Sequence, residues 1–194
     1  IIEEICSIQI EDGVTFKITL VKEIMEDFDY PGIRMMIEAT LERMRQPIKI
    51  DISTDDAIIP GAVEYEYKLM FEDRTISLLT YNLETLIAEK TQTILARGIA
   101  NTRMRDFYDV YELMQVKAEM VDMKTLKEAF AATCEKRQTL WHKDEAKKIL
   151  EKVGSDTGLE ELWKKYKSTY YFVGELEWEQ VVRFDIECIE QILE

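Results

Sequence analysis

The chain has 194 residues, 46% hydrophobic and 33% charged, with a formal net charge of −14. That length allows one domain with a substantial core, or two small ones. The charge argues against broad, sequence-blind nucleic-acid binding, which needs a basic surface, but it leaves room for a small basic pocket that focuses its own field.

The first 80 residues read mostly as strands. In "VTFKITLV" (14–21), Phe16, Ile18 and Leu20 alternate with Thr15, Lys17 and Thr19, as in a sheet with one face buried. "GIRMMIEATLE" (32–42) suits a strand with Ile33, Met35, Ile37, Ala39 and Leu41 inward, or a short helix. The strand is preferred because Pro31-Gly32 opens the segment as a turn and Gln46-Pro47 follows it. "PIKIDISTDD" (47–56) is the cleanest strand, with Ile48, Ile50 and Ile52 on the core face and Lys49, Asp51 and Ser53 opposite. "EYEYKLMF" (64–71) and "TISLLTY" (75–81) are further strands or sheet-edge segments.

From Tyr81 the pattern is helical. The segment 82–98 opens on an Asn82 cap, ends at Gly98 and carries an apolar stripe of Leu83, Leu86, Ile87, Ile94 and Leu95. Further helices are expected over 103–116, over 123–137 behind an Asp122 cap, and over 143–154, 157–168 and 175–194. This predicts an α+β fold with a sheet-rich part over 1–80 and a helical domain over 81–194. Trp141, Trp163 and Trp178 are expected in the helical core, and Tyr170-Tyr171-Phe172 in packing. Cys6, Cys134 and Cys188 lie far apart without zinc spacing, which suits buried, inert thiols in a reducing cytoplasm. No apolar run approaches the roughly 20 residues that span a bilayer, and "IIEEICSIQI" reads as no signal peptide, so no membrane partner is expected.

Three constellations could carry chemistry. Lys49 and Asp51, two apart on a strand, project together; the carboxylate suits a magnesium ion and the ammonium a phosphate, or the two are an ordinary solvent-facing pair. Lys90 follows Glu89 in "AEK" and lies seven residues before Arg97, near one helix face. Two such cations suit a triphosphate or an RNA phosphate, or simply face solvent. In "ANTRMRDFYDVYEL" (100–113), Asp106 and Asp109 share a face behind Arg103 and Arg105. They could orient arginines or lysines in a pocket, or complement the helix dipole. His142 has no evident partner. There is no P-loop, dinucleotide glycine fingerprint or G-x-S-x-G.

In this order, K-x-D (Lys49, Asp51), A-E-K (Ala88, Glu89, Lys90) and R-x-[KR]-D-x-x-D (Arg103, Arg105, Asp106, Asp109) resemble the AbiEii/AbiGii toxin family of nucleotidyltransferase-like proteins, over nearly the whole chain. The resemblance implies a DNA polymerase β-type mixed sheet followed by a helical domain. It implies the toxin half of a bacterial type IV toxin–antitoxin or phage-abortive-infection system. The activity would be magnesium-dependent transfer from a nucleoside triphosphate (NTP) to an RNA acceptor such as tRNA, and the genetic partner a DNA-binding antitoxin. Asp51 would be metal ligand or base and Lys49 would bind phosphate. Lys90 and Arg97 would contact the triphosphate, with Glu89, Arg103 and Arg105 in the same nucleotide-binding set. Asp106 and Asp109 would organise the pocket wall.

One departure stands out. The family's glycine turn followed by D-x-D supplies two further carboxylates, and nothing here matches it. "EDG" at 11–13 lacks the turn, and Asp55-Asp56 follows Asp51 rather than preceding it. One carboxylate does not build a two-metal site. The chain opens on Ile1 rather than Met, so the expectation is a parent protein that carries the motif upstream, with these residues alone inactive. The alternative is a non-catalytic binding module that sequesters a protein partner.

Overall fold

The computed structural model describes residues 1–24, 32–53 and 56–194. These form two compact units, Ile1–Asp56 and Ala57–Glu194. The first holds a short helix α1 (Ile2–Ser7) and three strands, β1 (Val14–Ile24), β2 (Gly32–Leu41) and β3 (Met44–Ile52). The second begins with the hairpin β4 (Val63–Lys68) and β5 (Thr75–Thr80). Six helices follow: α2 (Leu83–Arg97), α3 (Met104–Val116), α4 (Met123–Lys136), α5 (Lys143–Gly154), α6 (Thr157–Thr169) and α7 (Trp178–Ile192). The architecture is α+β, small antiparallel sheets followed by helices.

In the first unit the strands pair antiparallel in the order β1-β2-β3. Residues directly opposite in such a ladder share a face. Met35, Ile37 and Ala39 therefore share one face with Ile50, Ile48 and Gln46 of β3. On β1 the simple alternation fails. A register shift between Ile18 and Leu20 puts Leu20 opposite Met36 and Val21 opposite Met35. Phe16 and Ile18 stay on the Met35 face, but Leu20 leaves it and Val21 replaces it. An inserted bulge residue has this effect because side chains alternate with a period of two. Thr19 marks the place, its hydroxyl donating to the Met36 carbonyl at 3.1 Å.

Pro47 also departs from expectation. It does not separate two segments but lies inside β3, opposite Glu38. The strand begins at Met44 and is paired on one side only among the described residues, and such an edge strand tolerates a missing N–H. The link to β2 is a two-residue turn, Glu42-Arg43, with Glu42 at a φ of 51°. Pro31, Thr54 and Asp55, which the sequence reading placed at strand ends, lie outside the described residues.

In the second unit, caps set the helix starts. Asn82 accepts from the Thr85 amide at 2.9 Å, Asp122 from Thr125 at 2.7 Å and Asp156 from Leu159 at 2.9 Å. Each satisfies an amide that has no partner within its own helix. Buried Glu84 on α2 accepts from the Asp122 amide at 2.9 Å, tying α2 to the start of α4. The core is built on Ile87, Phe107, Leu126, Leu150, Trp163 and Val181, all fully buried. Phe107 meets Trp178 edge-on at 5.0 Å, and the Trp163 indole donates to the Leu176 carbonyl at 3.0 Å. Trp141 is partly buried against the same core.

One burial expectation needs correction. Cys134 and Cys188 are buried, and burial pushes the Cys188 thiol up to about 12, but Cys6 is only half-buried. Tyr170 packs on Tyr166 and Phe172 on Tyr108, at the surface, while Tyr171 is 96% exposed. The short turn of helix at Tyr171–Val173 buries Val173 and leaves the aromatics before it outside.

Asp185 on α7 is fully buried, and neither carboxylate oxygen has a hydrogen-bond partner among the described residues. Burial pushes its carboxyl well above the ordinary range. The folded state thus holds this proton more tightly than the unfolded chain does. Stability from this group is complete below the ordinary carboxylate pKa and is lost as pH rises toward the raised one. Asp185→Asn, which cannot ionise, is expected to gain on the native protein above about pH 4, at about 1.4 kcal/mol per pH unit until the raised pKa is reached. Urea unfolding of both proteins from pH 4 to pH 8 checks this; parallel pH profiles would show that Asp185 ionises without cost.

Candidate functional site

In the first unit, Asp51 is held by a residue that the sequence reading did not single out. Arg34 on β2 lies directly opposite it. Arg34 Nε donates to Asp51 Oδ1 at 2.6 Å and Nη2 to Oδ2 at 2.8 Å, a two-pronged match of guanidinium to carboxylate. These bonds hold the Asp51 carboxyl below the usual range, and the charge of Lys49 adds to the effect. Lys49 shares the strand face with Asp51, as its spacing requires, and is exposed. The signal for Arg34 lay in register: a two-residue turn at 42–43 puts residue 34 opposite residue 51.

In the second unit two of the three constellations meet. Lys90 Nζ on α2 lies 3.2 Å from Asp106 Oδ1 and 2.6 Å from Asp109 Oδ2 on α3. The side chains of Lys90 and Asp106 are each 11% exposed and that of Asp109 28%. The two aspartates, three apart on one helix face, grip a lysine from the neighbouring helix rather than the arginines beside them. Asp106 also lies in the first turn of α3, so it complements the helix dipole as well. The two uses read from sequence coexist in one side chain. The ammonium donates to Asp106 and lies in close ionic contact with Asp109.

Glu89, next to Lys90, turns elsewhere, 3.9 Å from Arg137 Nη2. Arg137, just beyond α4, also donates to Gln92 Oε1 at 2.5 Å and Thr93 Oγ1 at 3.1 Å. It fastens the end of α4 to α2, a long-range role with no local sequence signal. Arg97 lies in the last turn of α2, where a cation complements the dipole. His142 precedes α5 without a side-chain capping bond.

Arg103 and Arg105 border an open cleft of about 580 Å³ between the start of α3 and α6. Asp106 lines it from α3, Lys165 and Tyr166 from α6, and Tyr170 from just beyond that helix. Burial, with the Asp109 charge nearby, pushes the Tyr166 phenol up to about 12, so it stays a hydrogen-bond donor. Among the described residues Arg103, Arg105 and Lys165 have no acidic partner. The α6 side of this cleft went unnoticed in the sequence because its lysines and tyrosines look like any amphipathic helix.

Among the described residues no group of three or more histidine, cysteine, aspartate or glutamate side chains could hold a metal ion. Asp51 is paired to Arg34 through both oxygens, and Asp106 and Asp109 each direct an oxygen at Lys90. These residues by themselves do not fit the pair of magnesium ions expected from the resemblance.

Cations fixed by carboxylates, on an α+β frame, suit a protein that handles phosphate groups. The family described as nucleotidyl transferase AbiEii toxin, type IV toxin–antitoxin system, matches residues 1–184, and the chain belongs to it. Membership implies a cognate antitoxin as partner. No curated protein and no solved structure matches the chain. No helix among the described residues is long and apolar enough to cross a membrane.

The Lys90 cluster makes a stability prediction. Lys90→Met leaves two largely buried carboxylates facing each other and is expected to cost about 3 kcal/mol. Adding Asp106→Asn and Asp109→Asn removes that repulsion and is expected to restore much of the loss. Urea unfolding of the single and triple variants measures both. A Lys90→Met variant as stable as the native protein would reduce the cluster to a surface contact.

Proposed function

We propose that the protein is a toxin that transfers a nucleotide from an NTP to an RNA acceptor, tRNA among the candidates, inside the bacterial cytoplasm. The acceptor hydroxyl attacks the α-phosphorus, a new P–O bond forms, the bond to the β-phosphate breaks, and pyrophosphate leaves as the hydroxyl gives up its proton. The Lys90–Asp106–Asp109 cluster carries this reading. It joins the A-E-K and R-x-[KR]-D-x-x-D motifs through contacts of 2.6 and 3.2 Å, and so gives both one physical purpose.

In this scheme Lys90 offers an N–H to a triphosphate oxygen, while the aspartates keep the ammonium from wandering. Arg97, Arg103 and Arg105 add positive charge for phosphates, and Glu89 fixes the α2 backbone near Lys90 through Arg137. Asp51, kept ionised by Arg34, retains lone pairs that can accept from the acceptor hydroxyl. Lys49 supplies a second positive charge on that face. The magnesium expected of such chemistry would need carboxylates besides Asp51, and no step here is assigned to it. A DNA-binding antitoxin is the proposed form of the partner that the family implies.

The test separates chemistry from architecture at Asp51. Growth arrest on expression, and transfer of label from each of the four NTPs to RNA, are measured for the natural full-length protein and for Asp51→Asn and Arg34→Gln. If Asp51 contacts the acceptor, Asp51→Asn loses more than about 100-fold in transfer, while Arg34→Gln, which keeps the carboxylate, loses far less. Equal losses would make Asp51 merely the partner of Arg34. Full toxicity in a folded Asp51→Asn would leave the sequestering module as the better reading.

A further inference from the structure

Beside the cleft between α3 and α6 a run of aromatic rings leads from the edge of the core, at Tyr166, out into solvent. Tyr166 and Tyr170 lie 4.8 Å apart, Tyr170 and Phe172 5.4 Å, and Phe172 and Tyr171 6.1 Å, measured between ring centroids. Tyr108 of α3 backs the run, 6.2 Å from Tyr166 and 5.4 Å from Phe172. Exposure increases along it: Tyr170 is 43% exposed, Phe172 50% and Tyr171 96%. The inner end opens on the cleft, where Arg103, Arg105 and Lys165 have no acidic partner among the described residues. In a chain with a net charge of −14, these three cations gather around one cleft.

Exposed aromatic faces next to unpaired cations are what a single-stranded polynucleotide requires. Bases stack on the rings and phosphates meet the cations. A duplex does not fit the same surface, because its bases are already stacked on each other. Nor does a lone triphosphate account for rings that continue out of the cleft into solvent. At the cleft wall Asp106 is 8% exposed, and its Oδ2 has no hydrogen-bond partner among the described residues.

We infer that the α3–α6 cleft and the Tyr170–Tyr171–Phe172 ladder form a track for the end of a single-stranded polynucleotide, with the terminal nucleotide in the cleft and preceding bases on the ladder. This deepens the nucleotidyl-transfer reading, on which it rests, by saying where the acceptor strand lies. The protein's overall negative charge opposes the strand, so affinity comes mainly from stacking and the salt dependence is shallow. With three cations, log K falls against log salt with a slope of about −2.

The experiment is fluorescence anisotropy with labelled 12-nucleotide RNA and DNA of one sequence, and with the matching RNA duplex, on the full chain. Single strands are expected to bind more tightly than the duplex. A preference for RNA would point to a 2′-hydroxyl contact, and a preference for DNA to base contacts. Tyr170→Ala is expected to weaken binding about tenfold with the salt slope unchanged, and Tyr170→Phe to bind as the native protein does. Arg105→Gln with Lys165→Gln is expected to flatten the slope by about 1.4. These side chains are exposed, so the variants should fold, and circular dichroism checks that they do.

The inference is overturned if the duplex binds as well as the single strand, or if no variant changes binding. The two readings fail separately. Track-dependent binding without any transfer activity removes nucleotidyl transfer and leaves the track. Transfer with an unchanged KM for RNA in Tyr170→Ala removes the track and leaves the transfer.

Discussion

The helical unit turns on one ammonium group. Lys90 bridges α2 and α3 by meeting two aspartates that would otherwise repel each other across a single turn of helix. With side chains 11% exposed, Lys90 and Asp106 are largely out of water, and each charge is tolerable only because the other is there. The constraint works in both directions. α3 cannot slide along α2 without separating the cluster, so the start of α3, with Arg103, Arg105 and the cleft beside them, takes its place from Lys90. Around this polar joint the apolar contacts are conventional: Phe107 on Trp178, and Ile87 and Val110 buried alongside.

Asp51 shows the same physics in a wetter setting. Its guanidinium partner comes from the adjacent strand, and both carboxylate oxygens are engaged, yet the pair is partly open to solvent. A carboxylate held in this way is oriented and ionised without being used up, since each oxygen still has a lone pair to offer. In both units, then, a residue quoted for its chemistry is first a residue with a fixed partner. Fixing a charged group before a ligand arrives lowers the ordering cost that binding would otherwise carry.

How much of this was legible in the sequence depends on the range of the interaction. Helix starts were readable because a cap and the amide it satisfies are three residues apart, as at Asn82 and Asp122. Asp106 and Asp109 could be placed on one face because helical spacing is local. Their partner could not, because Lys90 is 16 residues from Asp106 and the link depends on how two helices cross. The strands show the same division. Alternation found β1, but the shift after Ile18 moved Leu20 to the other face, and nothing in "ITLV" announces a bulge. Gln46-Pro47 looks like a break in the sequence because proline removes a donor; at a sheet edge that donor has no partner to lose.

Charge is where whole-chain and local properties part. Across the sequence, acidic residues outnumber basic ones 39 to 25, which by itself argues against polynucleotide binding. Many of the acids, however, are already committed: Asp51 to Arg34, Asp106 and Asp109 to Lys90, and Glu160 to Lys164. A paired carboxylate contributes little field beyond a Debye length, about 8 Å at physiological salt. What a ligand meets at short range is the set of charges that pairing leaves over, and around the α3–α6 cleft that set is Arg103, Arg105 and Lys165. Net charge sets the long-range repulsion that a strand must overcome on approach. The unpaired cations and exposed rings decide where the strand settles, and stacking, which salt does not screen, keeps it there.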